Sequence, residues 1–474
     1  MGFAAWLEQK YSTIDCLNDI WGRCYSTFSQ IEAPLHSGAV NDFIDWREFH
    51  LDTMTEEARW RLQTVRQYDG LHPAYLHVVP NTMKPFNSIT CVDDFALAPL
   101  CDVFAATMND GPVFASQVVS AGRGRVCYNV ESHLNFGGTG LHPRRVDHED
   151  VRRDFLTQIG FGVRGFLMWQ FRPESLGLES PAWGMIAGDG GDLPVTVALR
   201  DFWSKIGPLA GQFMSAMPVR ARVGIWKSRR NECFHFAMHG SLDQLIESVE
   251  GYIRNLYWHN IPFRIVSENM LATGDLDDLA VLILPSPYHM TLDEACALDE
   301  WVRGGGVALC EAHLAGYNGT TGRHEWKMPG CGLADSWGMR ESWTTSSHHL
   351  NLGQGDAFDQ DVSEDVRKAM QEWQASGGRF FPMSLADGRM ILGATRFAVI
   401  EGDGLAVDAT FGDGSGEVMI ATKPLGRGWI VYCGCHLGET AQKDERGLMT
   451  MLATWLIWIE SPLSKAWLTP VEFT

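Results

Sequence analysis

Arg125-Val-Cys-Tyr-Asn-Val-Glu-Ser-His133 and, one helix later, Phe166-Leu-Met-Trp-Gln-Phe-Arg172 decide how this chain is read. The first run is short, apolar and ends in a carboxylate, Glu131, the pattern of a buried parallel strand. A glycine-rich loop (Asn135–Gly140), a charged helix (Asp147–Ile159) and a second apolar run (Gly162–Phe171) follow it. The result is a strand–helix–strand unit. Its polar groups gather at the carboxyl ends of both strands, where α/β barrels keep their chemistry.

Working outward, the same alternation continues. An amphipathic helix is predicted over Ala4–Ile20, with Trp6, Leu7, Ile14, Leu17 and Ile20 near helical spacing, and a longer one over Asp45–Tyr68. His72–Val79 and Cys101–Ala106 read as two further strands. Four strands alternating with helices imply a parallel sheet packed by helices. They do not close a barrel, which needs eight strands and about 250 residues. Past Met214–Arg220 the pattern restarts. Strands are expected at Ala221–Trp226, Phe263–Val266, Leu279–Pro285 and Gly306–Leu309, with helices at Leu242–His259 and Leu292–Gly304 between them. That is a second α/β unit of doubly wound character. Gly316–Gly355 reads as loop, Val418–Ala421 with Gly428–Gly434 as a hairpin, and Arg446–Ile459 as a closing helix.

Composition narrows the possible functions. A net charge of −20 over 474 residues argues against nucleic-acid and anionic-membrane surfaces, which need basic patches. Eighteen tryptophans and 24 phenylalanines are chiefly core material, although such rings also serve as stacking platforms for sugars. The eleven cysteines are scattered. Cys433-Gly-Cys435 is their only close pair, and no spacing suggests a zinc site, so a reduced, cytoplasmic protein is expected. Neither a signal peptide nor an apolar run of ~18 residues is visible.

Several segments resemble glycoside hydrolase family 42, the β-galactosidases. Trp6-Leu7-Glu8-Gln9-Lys10-Tyr11-Ser12-Thr13, Leu17-Asn18-Asp19-Ile20-Trp21-Gly22 and Asp45-Trp46-Arg47-Glu48-Phe49 are similar to the family's helices after barrel strands four and five. Tyr128-Asn129-Val130-Glu131 and Phe166–Arg172 match its strand-seven and strand-eight segments. Tyr257-Trp258-His259-Asn260-Ile261-Pro262, Leu284-Pro285-Ser286-Pro287-Tyr288 and Trp301-Val302-Arg303-Gly304-Gly305-Gly306 resemble its second domain. The resemblance implies part of a (β/α)8 barrel over residues 1–215, covering strands five to eight. A flavodoxin-like, amidotransferase-like trimerisation domain over 219–460 and a tail over 461–474 would follow. No counterpart of strands one to four, of the acid/base glutamate at the end of strand four, or of the small C-terminal β-sandwich is found. A homotrimer is implied, along with a carbohydrate substrate, and a second chain completing the barrel is a further expectation. No cofactor or metal is called for.

Retaining glycosidases need two carboxyl groups about 5–5.5 Å apart, one to attack the anomeric carbon and one to shuttle a proton. Glu131 is the candidate nucleophile, with Arg172 or Asn81 as donors that keep it ionised. Trp169 and Trp183 are candidate stacking platforms. Arg172 is also a candidate for binding sugar hydroxyls, and Glu179 matches a sugar-binding acidic residue of the family. Each has a plain alternative: a strand-end ion pair for Glu131 and Arg172, packing for the tryptophans, a solvated loop carboxylate for Glu179. Glu8 and Glu32 read as solvated, so no acid/base partner for Glu131 stands out. Two rival readings remain. One is a non-catalytic sugar-sensing or assembly subunit. The other is an amidotransferase-like enzyme using Cys310, which follows a strand and has Glu311 and His313 beside it.

Overall fold

The computed structural model describes residues 2–34, 40–79, 92–108, 111–134, 144–177, 179–276, 278–350 and 377–441. Contacts divide the chain into two compact units. One holds residues 1–242 and 262–268, and the other holds 243–261 and 269–474. The expected closing helix at Arg446–Ile459 lies outside the described residues.

The first unit begins with two helices, Phe3–Tyr11 and Ile14–Trp21, where the periodicity predicts one. Ser12 stands at φ 62° and breaks the run, and the Thr13 hydroxyl then caps the second helix by accepting from the Cys16 amide. Hydrophobic spacing continues across the break, so spacing alone could not reveal it. Leu7, Leu17, Trp21 and Ile31 form a small core. Beside it runs the long helix Val40–Tyr68.

A buried charge network ties these helices to later sequence. Lys10 Nζ lies 2.6 Å from both Asp45 and Glu48. Asp45 also accepts from the Tyr11 hydroxyl (2.5 Å) and the Trp21 indole (2.9 Å). The other Glu48 oxygen accepts from Arg230 Nε at 2.5 Å. Arg229 pairs with Asp93 and Glu268, each at 2.8 Å. Burial alone would raise the Glu48 carboxyl, but Lys10, Arg230 and Arg229 outweigh it and hold the group well below the usual carboxylate range.

Four strands follow: β1 Tyr75–Val78, β2 Val103–Ala106, β3 Val126–Ser132 and β4 Val163–Met168. They form one parallel sheet in sequential order. β4 stops at Met168, three residues short of the expected end. Helices Gly111–Ala121, His148–Phe161 and Pro194–Ile206 accompany it. Asp147 and Asp150 build a capping box at the start of the second of these, and Gly162 ends it at φ 119°. Phe166 and Met168 of β4 pack with Val151, Phe155, Ala198 and Phe202 against the helices. Leu167 between them is half-exposed, as are Tyr75 and Trp169. One face of the sheet is therefore covered and the other is open among the described residues. On that open side the Tyr128 ring lies against Gly165, where a Cβ would come within 2.7 Å of it. A parallel pair, β5 Val223–Lys227 and β6 Phe263–Ser267, completes the unit.

In the second unit, strands Val281–Leu284 and Val307–Cys310 run parallel on either side of the helix Leu292–Arg303 in sequence. Gly428–Cys433 pairs parallel with Val307–Cys310. Beyond it the sheet turns antiparallel through Val418–Leu425, Ala406–Phe411, Phe380–Leu385 and Met390–Ala394. Met339–Ser346, inside the stretch expected to be loop, is a strand paired with Arg396–Gly402. The unit is thus mixed rather than wholly doubly wound. Phe380–Leu385 and Met390–Ala394 are buried almost without interruption, so they lack the alternation by which half-buried strands are recognised.

Glu48→Gln should destabilise the protein by about 3 kcal/mol at pH 7. That is near the low end for a broken buried pair, because Lys10 is partly exposed. Since folding lowers the Glu48 pKa, its stabilisation is present above the unfolded value of about 4.3 and fades as pH falls below it. Urea denaturation of wild type and variant from pH 7 to pH 3 should show the gap narrowing. A gap independent of pH would contradict this assignment.

Candidate functional site

The site is set by Asn129, which is fully buried on β3. Its Nδ2 donates to the Met108 carbonyl (3.1 Å) and to Gln158 Oε1 (3.0 Å). Its Oδ1 accepts from the amides of Met108 and Glu131, both at 3.3 Å. All four hydrogen-bonding positions of the amide are used. The end of β2, the helix His148–Phe161 and the backbone of Glu131 are thereby fixed to one side chain.

Two residues later β3 changes register. Asn129 pairs with Phe166 and Ser132 with Met168, so β3 carries one residue more than β4 over this interval. This is a β-bulge, and bulges re-aim side chains. Cys127 and Asn129 face the helices, the former with its Sγ near the Val118 carbonyl. Strict alternation would send Glu131 the same way. The extra residue instead brings it to His77 of β1, on the open side.

There the Glu131 carboxylate is held on both oxygens. His133 Nε2 is 3.0 Å from Oε1, and His77 Nε2 is 3.3 Å from Oε2. His77 Nε2 also lies 2.9 Å from Thr107 Oγ1, at the end of β2. The His133 ring packs at 4.3 Å against Trp183, which is buried. Burial pushes the His133 imidazole below the ordinary histidine range, against the opposite pull of Glu131 and Glu179.

Among the sequence-predicted residues, Glu131 and Trp183 come together through His133. Trp169 is partly exposed and donates from Nε1 to Glu179 Oε2 at 3.4 Å, so those two also pair. Arg172 does not orient Glu131. Its Nε and an Nη bind the Gly188 carbonyl at 3.2 and 2.6 Å, because the loop returns that carbonyl within reach. Arg172 and Trp183 instead line a cavity of about 1100 Å³ with Glu174, Ser175 and Ser180. Asn81 lies outside the described residues. Sequence reasoning missed His77 and His133; a histidine at the carboxyl end of each of two parallel strands was the available signal. Among the described residues no group of three His, Cys, Asp or Glu side chains is arranged to hold a metal ion.

Cys310 is fully buried, and burial pushes its thiol up, away from the reactive thiolate. His313 Nδ1 faces an Arg396 Nη at 2.9 Å. The neighbouring Glu311 is itself buried, accepting from Ser248, Tyr252 and the amides of Ser286 and Gly438.

Known proteins give an independent comparison. The family model Glyco_hydro_42, Beta-galactosidase, matches residues 1–196. Beta-galactosidase BbgII of Bifidobacterium bifidum is 20% identical over 328 residues, covering 64% of this chain and 46% of that protein. Beta-galactosidase YesZ of Bacillus licheniformis is 24% identical over 202 residues, covering 38% of this chain and 29% of its own length. The chain thus spans less than half of either relative. Among solved structures, the β-galactosidase of Rahnella sp. R3 superposes with a TM-score of 0.76 at 18% identity, over 96% of this chain and 65% of that one. The enzyme of Bacillus circulans sp. alkalophilus gives 0.75 at 15% identity, over 96% and 66%. The resemblance to glycoside hydrolase family 42 therefore holds in sequence over residues 1–196 and in fold over nearly the whole chain. Among the described residues, no helix is long and apolar enough to cross a membrane.

Two outcomes are expected. Asn129→Ala strands the Met108 amide and carbonyl and should cost about 1–3 kcal/mol in urea denaturation. Brief alkylation of the native protein should label the exposed Cys16, Cys24 and Cys296 and spare Cys310. Equal labelling of Cys310 would revive the thiol reading.

Proposed function

We propose that this chain carries the nucleophile side of a retaining glycoside hydrolase site of β-galactosidase type, with Glu131 attacking the anomeric carbon. One observation carries the reading: a part-buried carboxylate at the carboxyl end of a parallel strand, turned by a bulge to the open face and held on both oxygens. That is the placement α/β barrels use for chemistry. A carboxylate with an imidazole nitrogen beside each oxygen is confined in direction, as nucleophilic attack requires. The acid/base glutamate, which retaining chemistry places about 5–5.5 Å away, is proposed to come from a segment outside these residues or from a partner chain. Trp169 and Trp183 supply faces for a sugar ring. Glu179 and Arg172 supply hydrogen bonds to its hydroxyls. The carbohydrate itself is proposed to be a β-galactoside or a related glycoside, as in the proteins this chain resembles.

Hydrolysis of an aryl β-galactoside tests the reading, with and without any adjacent chain that completes the barrel. Wild type should turn the substrate over, and Glu131→Gln should fall to the uncatalysed background. Full activity in Glu131→Gln rules out this nucleophile. Saturable sugar binding without turnover, even in the presence of such a partner, would favour a sugar-sensing subunit.

A further inference from the structure

We infer that a second copy of this chain docks on the open face of β1–β4. A two-fold axis along the strands then closes two half-barrels into one eight-stranded barrel. The partner completes the surroundings of Glu131. Its part in catalysis rests on reading Glu131 as the nucleophile; its docking does not.

Among the described residues both edges of the sheet are bare. β1 pairs with β2 alone and β4 with β3 alone, and no other segment makes a backbone hydrogen bond along either outer side. The carbonyls of Ala74 and Val78 turn to β2, where the Val103 and Thr107 amides meet them. Tyr75, next to Ala74, therefore points its own amide to the free edge. The open face is apolar as well, with Tyr75, Val126 and Leu167 exposed. The helix before β1 exposes Met54 and Val65, and the helix after β4 exposes Trp203. Parallel sheets are covered on both faces, and bare edges invite pairing. A layer laid across the face alone would leave the edges open, whereas a second parallel half-barrel satisfies both.

The register of the sheet fits a second copy as that half-barrel. His77, Ala105, Tyr128 and Gly165 lie side by side in one row across the four strands. Large side chains stand on β1 and β3, small ones on β2 and β4, and the Tyr128 ring spreads over Gly165. An eight-stranded barrel fills its interior in layers of four side chains, drawn from alternate strands. One copy supplies two of the four, His77 and Tyr128. A two-fold axis brings the same pair from the second copy and completes the layer with its alternation unbroken. That axis also keeps every strand parallel and makes the two new seams identical, β4 of each copy against β1 of the other. The partner's Glu131 enters the same mouth, so the closed barrel holds two carboxyl groups where one copy holds one. Glycoside hydrolysis uses two.

Sedimentation equilibrium and hydrolysis of an aryl β-galactoside, both on the full chain, judge docking and catalysis separately. Wild type should sediment as an assembly of an even number of chains. Leu167→Glu puts a charge where only a docked copy would bury it. Tyr75→Pro removes the amide from the free edge of β1, a position where a sheet tolerates proline. Each should halve the mass of the assembly while circular dichroism stays that of wild type, since both side chains are exposed in a single copy. Glu131→Gln should leave the mass unchanged. A wild type of one or three chains overturns the docking, and so does an undiminished mass in both Leu167→Glu and Tyr75→Pro. A wild type that pairs only after a different chain is added overturns it as well. Where wild type hydrolyses the substrate, the half-mass variants should lose that activity; hydrolysis by them at the wild-type rate overturns the completion of the site. An even-numbered wild type that is halved by these variants but hydrolyses nothing upholds the docking and defeats the nucleophile reading.

Discussion

A buried amide that leaves no hydrogen bond unmade organises the first unit. Asn129 lies where no water reaches it, so each of its donors and acceptors must find a protein partner or cost free energy. It finds them on three elements: the end of β2, the helix after β3, and the backbone of Glu131 itself. The candidate carboxylate is therefore anchored from behind by a network that cannot shift one member without stranding another. Precision at the open face depends on satisfaction at the closed one.

The charge network around Glu48 works at a different scale. It joins residues far apart in sequence, Lys10 to Glu48 to Arg230, within the same unit. A chain with net charge −20 places several of its cations inside, where each neutralises a carboxylate that would be costly to bury alone. The acidic balance that argues against nucleic-acid binding says nothing of this internal pairing. Surface charge and core charge answer to different constraints.

Much of the architecture was legible because it is local. Apolar runs located all four strands of the first sheet, and a charged run from Asp147 located the helix between β3 and β4, which the structure gives as His148–Phe161. Glu131 was legible as a strand-end carboxylate. His77 was not, because its partnership with Glu131 depends on which strands become neighbours and on a bulge that leaves no composition signal. The contact of Arg172 with the Gly188 carbonyl was not legible for a related reason: a guanidinium takes the nearest carbonyl its own loop returns, and loop paths are not written in periodicity. In the second unit the hairpin of Val418–Leu425 and Gly428–Cys433 was legible, whereas Phe380–Leu385 and Met390–Ala394 were hidden by near-continuous burial, which removes the alternation that betrays a strand.

The bulge in β3 carries one more consequence, for how such a site tolerates change. Because side chains alternate across a strand, Glu131, two residues from the helix-facing Asn129, reaches the open side only through the extra residue of the bulge. Substitutions that keep the bulge alter size or polarity but leave the carboxylate on that side. Straightening the strand at its present length would turn the carboxylate toward the packed helices, with every chemical group still present. At this point in the chain, strand pairing is a stricter requirement than identity.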